Sequence, residues 1–86
     1  MAVVTEVKVI NQSLTNEASI RYAQLTVTSD ETYTPTAITG KTIKVLSCYN
    51  NTDGATVKVT QSAGVLTMGN GQTLSDEDTM LCWTYV

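Results

Sequence analysis

Few side chains in this chain are of types that do chemistry, and their spacing narrows the field further. There is no histidine. Its absence removes the commonest general base, the commonest metal ligand and every serine or cysteine triad that depends on imidazole. Cys48 and Cys82 cannot make a four-ligand zinc site on their own. Both lie within strand-like stretches rather than in a CxxC pair or a loop. They read either as buried free thiols or as neighbours bonded across a sandwich, and without an export signal the free thiols are the expectation. Ser75-Asp76-Glu77-Asp78 raises the question of calcium, but no loop there supplies six or more oxygens at alternating positions. Ser75 reads instead as the N-cap of one helical turn, with the carboxylates near the positive end of its dipole. Gly69-Asn70-Gly71 lacks GxGxxG spacing and any following helix or GK[ST], so Met68 to Gln72 reads as a tight reversal and not a phosphate cradle. Paired carboxylates leave glycosidase chemistry formally open, yet so small a domain has little chain from which to build a sugar cleft. The expectation is a protein that is not an enzyme and has no metal and no cofactor.

The elements that must position these residues follow from composition. Eighty-six residues suffice for one domain, here taken as 1–86, because a second core could not close within that length. With no Phe and a single Trp, the interior has to come mainly from Val, Ile, Leu and Ala. Thr and Val make up nearly a third of the chain, 16 and 10 residues, and both are β-branched, which favours strands. Five basic residues, Lys8, Arg21, Lys41, Lys44 and Lys58, are scattered along a chain of net charge -3. No basic stripe exists to track a phosphate backbone, which argues against nucleic acid as a partner. No apolar run reaches the ~20 residues of a membrane helix, and no leader pattern opens the chain, so the product is expected to fold where it is made. The glycosylation triplets at Asn11 and Asn50 carry no weight without secretion.

The best-argued element is the stretch 42–60. Asn51-Thr52-Asp53-Gly54 suits a type I turn with Gly54 in the left-handed region, closing a hairpin with a three-residue loop and a bulge. That register sets Tyr49 opposite Val57 and Ser47 opposite Val59, gathering Val45, Ser47, Tyr49, Ala55, Val57 and Val59 on one face. Upstream, 2–10 alternates with Val3, Thr5, Val7 and Val9 on one side and Glu6 and Lys8 on the other. Residues 11–19 are polar and turn-rich, with Leu14 as a plug and room for one helical turn. In 20–28, Ala23, Leu25 and Val27 share a face opposite Ile20, Tyr22, Gln24 and Thr26. The connection 29–41 is longer than a link needs and holds the only proline, Pro35. It reads as a crossover between sheets or as an extended arm with Tyr33, Pro35 and Ile38 as contact residues. Val65 to Met68 is a short strand. The last strand, Thr79 to Val86, is apolar or aromatic on both sides: Met80, Cys82 and Val86 on one, Leu81, Trp83 and Tyr85 on the other. Such a strand is central in a sandwich or covered by another chain.

A His-free, Thr/Val/Gly-rich β chain of this length resembles the small virion structural proteins of tailed bacteriophages. The resemblance is carried by 43–60 (IKVLSCYNNTDGATVKVT), the turn region from Gly64 to Leu74, and the closing Leu81-Cys82-Trp83-Thr84-Tyr85. It implies a capsid decoration or cement protein, or a minor neck or tail component, located on the virion after synthesis in the host cytoplasm. The partners implied are the major coat protein and further copies of the chain, with no nucleic acid and no membrane. No family site residue transfers with it. The fold expected is an all-β antiparallel sandwich or open barrel of about six or seven short strands. The contact residues expected are Tyr33, Pro35, Ile38, Trp83 and Tyr85, each equally suited to an ordinary core. Two other readings stand beside it: a binding module recognising a carbohydrate or host surface through Gly/Asn-rich loops, and a secreted Ig-like domain with a Cys48–Cys82 bridge.

Overall fold

The computed structural model describes residues 3–13 and 19–86, and for 8–13 and 19 the backbone only. Strands β1 (Thr5–Ser13), β2 (Ser19–Val27), β3 (Glu31–Tyr33), β4 (Ile43–Asn50), β5 (Val59–Ser62), β6 (Val65–Met68) and β7 (Glu77–Tyr85) form two antiparallel sheets. One has the order β1-β2-β7-β4 and the other β3-β6-β5. No helix occurs among the described residues. The all-β expectation holds, and the doubly apolar last strand is explained by its place between β2 and β4.

The two inner faces share one core. Ala23, Leu25 and Val27 from β2, Leu81 and Trp83 from β7, Leu66 and Met68 from β6 and Val57 from the connection after β4 are all buried in it. Alternation assigns the β2 face correctly because nothing interrupts that strand. Full burial of each large aliphatic side chain contributes about 1.5–3 kcal/mol before ordering costs.

Elsewhere two bulges overturn the alternation. The β1–β2 register shifts between Glu6 and Lys8, and the β4–β7 register between Val45 and Ser47. Val4 is therefore the buried valine near the start of the chain, while Val3 and Val7 are exposed. On β4, Val45 packs against the core and Cys48 lies within it, but Ser47 and Tyr49 face out. The hairpin after β4 is also out of step with expectation. Asn50 N donates to Ala55 O and Gly54 N to Asn50 O, leaving four residues in the loop, and Tyr49 pairs with Thr56 instead of Val57. One residue of slip turns Val57 inward and Tyr49 outward. The turn owes its shape to its polar side chains: Asn50 Oδ1 accepts from Thr52 N, Asp53 Oδ1 accepts from Ala55 N, and Gly54 takes φ 75°. After Val57 the chain leaves the edge of β4 for the second sheet.

Three further segments tie the layers together. Val4 N donates to Thr32 O beside a parallel Val3–Thr32 bridge, fastening the start of the chain to β3. Residues 34–42 cross from β3 to β4, as the sheet-crossover reading expects, and Thr42 exchanges two hydrogen bonds with Val86. Ser29 and Gln72 lock the turns at the opposite end. Ser29 Oγ donates to Gln72 O and accepts from Leu74 N, while the Gln72 amide accepts from Lys58 N and donates to Thr56 O. The expected helical turn at Ser75 is instead a bend: Asp76 takes φ 48°, and β7 begins at Glu77, pairing with Val27. The Leu14 plug lies outside the described residues, while 11–13 and Ser19, read as turn-rich, extend β1 and β2.

Candidate functional site

The groups that suggested chemistry are dispersed. Asp76 Oδ1 accepts from Thr28 Oγ1, Glu77 Oε1 from Asn50 Nδ2 at 2.8 Å, and Asp78 Oδ1 from Gln24 Nε2 at 2.9 Å. These carboxylates pin the start of β7 to its neighbours rather than converging. No cluster of three or more metal-ligating side chains occurs among the described residues. Gly69-Asn70-Gly71 is a turn closed by Gln72 N to Gly69 O. Cys48 and Cys82 are both free and buried. Cys48 is level with Leu81 on the inner face, and Cys82 with Ser47 on the outer, so the thiols stand on opposite sides of one sheet and cannot bridge. Burial pushes the Cys48 thiol from 9.0 up to about 12, which makes it a poor nucleophile.

What the fold does assemble lies at the end of the sandwich where β2 and β4 begin and β7 finishes. Tyr85, half-buried, separates two hollows. The first, about 340 Å³, is lined by Ile38, Lys41, Ile43, Gln61, Ala63 and Tyr85 among others. The second, about 300 Å³, is lined by Glu6, Arg21, Tyr33, Trp83 and Tyr85 with Thr34 and Thr36. The Tyr85 hydroxyl donates to Thr36 O, which fixes the ring and the crossing segment together. On its face sits the Arg21 guanidinium, 4.9 Å from the ring centroid. Tyr33 packs edge-on to Trp83 with centroids 5.9 Å apart, and its hydroxyl donates to Glu6 Oε2 at 2.8 Å. Burial, helped by that carboxylate, raises the Tyr33 phenol well above its ordinary range.

The five residues marked as contacts therefore meet at one end of the molecule, but not as one surface. Trp83 is 2% exposed, Tyr33 is 8% exposed and Pro35 is buried. These three are interior side chains that a partner cannot reach without opening the sandwich. Ile38 and Tyr85 remain accessible, both beside the larger hollow. Trp83 turns inward because it shares the inner face of β7 with Leu81, and Tyr33, paired with Leu66 of β6, packs against it from the other sheet. Sequence reading missed Arg21 and Glu6. The signal for Arg21 was its phase: it stands two residues before Ala23, on the face that Ala23, Leu25 and Val27 bury, where a charge is out of place without a purpose. Glu6 was hidden by the bulge beside it, which reverses the sidedness of the strand. No known family model matches this chain, and no curated protein or solved structure is significantly similar to it.

Proposed function

We propose that this protein is a non-enzymatic virion structural protein, a capsid decoration or cement component that binds a coat-protein shell and bridges neighbouring subunits. One observation supports the reading beyond the sequence resemblance. Each edge strand of the four-stranded sheet carries a bulge at which an apolar side chain faces solvent: Val7 on β1, 57% exposed, and Leu46 on β4, 45% exposed. Bulges on edge strands re-aim side chains and blunt edge-to-edge pairing. Here they offer an apolar contact on each of two opposite edges, with Val3 beside one and Tyr49 beside the other. A bridging protein needs two such contacts, and repetition over a lattice lets weak contacts add up.

The test is the native mass of the protein alone and after mixing with empty coat-protein shells of the source particle. Stoichiometric co-sedimentation is expected, reduced by Val7→Lys or Leu46→Lys and abolished by the pair, with the fold of each variant checked by its unfolding midpoint. A stable monomer that ignores the shell would sink the reading and turn attention to neck, tail or glycan binding.

A further inference from the structure

The second sheet covers the inner face of β2, β7 and β4, and no third layer among the described residues covers the outer one. Register fixes which side chains stand there. Tyr22 and Ser47 flank Cys82, and Gln24 and Tyr49 flank Met80. These six fill the middle of the face, and none is charged. Among the described side chains of the three strands, charge appears only toward the two ends of that face. Lys44, level with Thr84, is exposed at one end. Asp78, level with Thr26, is exposed at the other. Their rows are six positions apart along β7, which is about 20 Å at ~3.4 Å per residue.

Neither charge is answered within the described chain. The Lys44 ammonium has no partner among the described residues. Asp78 accepts only from neutral amides, Gln24 Nε2 at 2.9 Å and Asn51 Nδ2 at 3.3 Å, both through Oδ1. Its Oδ2 and its full negative charge are left to the outside. A centre of Tyr and Met without charge, with charges at the rim, is the composition of a protein interface. A partner for this face must bring an acid to Lys44 and a base to Asp78, with an uncharged surface between them. Another copy of this chain, turned end for end, carries that pattern. We propose that the outer face of the larger sheet docks on the same face of a second copy, Lys44 of each lying over Asp78 of the other. The two-fold axis runs between the sheets, perpendicular to the strands, so both ion pairs form at once. It also sets the Tyr22–Cys82–Ser47 row over the Gln24–Met80–Tyr49 row of the second copy. Adjacent strands lie about 4.8 Å apart and stacked sheets about 10 Å apart, a gap that a lysine and an aspartate side chain span together. The pairing does not rest on the shell reading, since it is a property of the isolated chain.

The experiment is sedimentation equilibrium of the intact chain from about 10 μM to about 1 mM, where a reversible dimer is expected. Lys44→Glu sets like charges against each other in both pairs and should weaken the dimer about tenfold or more. Adding Asp78→Lys to it should restore the dimer. In a mixture of isotope-labelled and unlabelled chains, a water-soluble carbodiimide should join Lys44 of one copy to Asp78 of the other, because within one copy the two are too far apart for a zero-length link. That cross-link decides the matter if Asp78→Lys, which gives up the Gln24 and Asn51 hydrogen bonds, fails to fold. A chain that stays monomeric to about 1 mM would overturn the proposal, as would a dimer that tolerates Lys44→Glu or yields no such cross-link. A monomer that still sediments with coat-protein shells would overturn this pairing and leave the shell reading standing.

Discussion

Cys48 illustrates how burial converts a reactive group into a structural one. Its thiol loses its proton at 9.0 ordinarily and at about 12 in the fold. The unfolded chain therefore gives up that proton first. Above pH 9 deprotonation favours unfolding, and the stability tied to the neutral thiol is present below 9 and lost as pH rises toward 12. The denaturant midpoint should fall across that window, and Cys48→Ala, less stable at neutral pH, should fall less steeply. Tyr33, raised by its burial, and Tyr22, raised by the neighbouring Cys82, act in the same direction. Gly69 is a second residue whose type is dictated by its surroundings. It has φ 67°, and a Cβ there would run into the Leu74 side chain. Gly69→Ala should cost on the order of 1–3 kcal/mol, read from the unfolding midpoint, since left-handed backbone and collision add.

Between residues and the whole lie the turns and bulges, where sequence reading succeeded or failed for identifiable reasons. β2 was legible because its alternation is unbroken from Ala23 to Val27. β1 and β4 were not, because a bulge costs nothing in local propensity and leaves no mark in composition, yet reverses the faces of everything beyond it. Asn51 to Gly54 was rightly read as a turn. Its register was not, because the side chains of Asn50 and Asp53 hold a loop one residue longer than the type I reading assumed. Gln72 acts at this scale too, since its amide pairs with Lys58 N and Thr56 O as that segment passes between sheets. Gln72→Ala should destabilise by about 1–3 kcal/mol. Ala63 is the opposite case. It and Gly64 both take positive φ in the two-residue turn joining β5 to β6, and alanine suits that conformation poorly. Ala63→Asn should stabilise by about 0.5–1 kcal/mol, seen as a higher melting temperature.

For the molecule as a whole, fold class was readable from β-branched composition, and the meeting of the marked aromatics was foreshadowed by their concentration in two stretches. Their burial was not, because which face of 31–38 turns inward depends on β6 and on Trp83, far away in sequence. The thiols offer a test at this scale. Since Cys48 and Cys82 occupy opposite sides of one sheet, oxidant should leave the melting temperature unchanged, and a thiol reagent should find two reactive groups only after unfolding. The position of β7 has a further consequence, for the order of events during synthesis. Among the described strands only the β1–β2 and β5–β6 pairs join consecutive strands, whereas β7 emerges after the others and supplies the pairing partner of both β2 and β4. Until residues 77–85 have left the ribosome, the larger sheet is two separate pieces with an open seam, so a nascent chain arrested before them exposes that seam to any neighbouring strand.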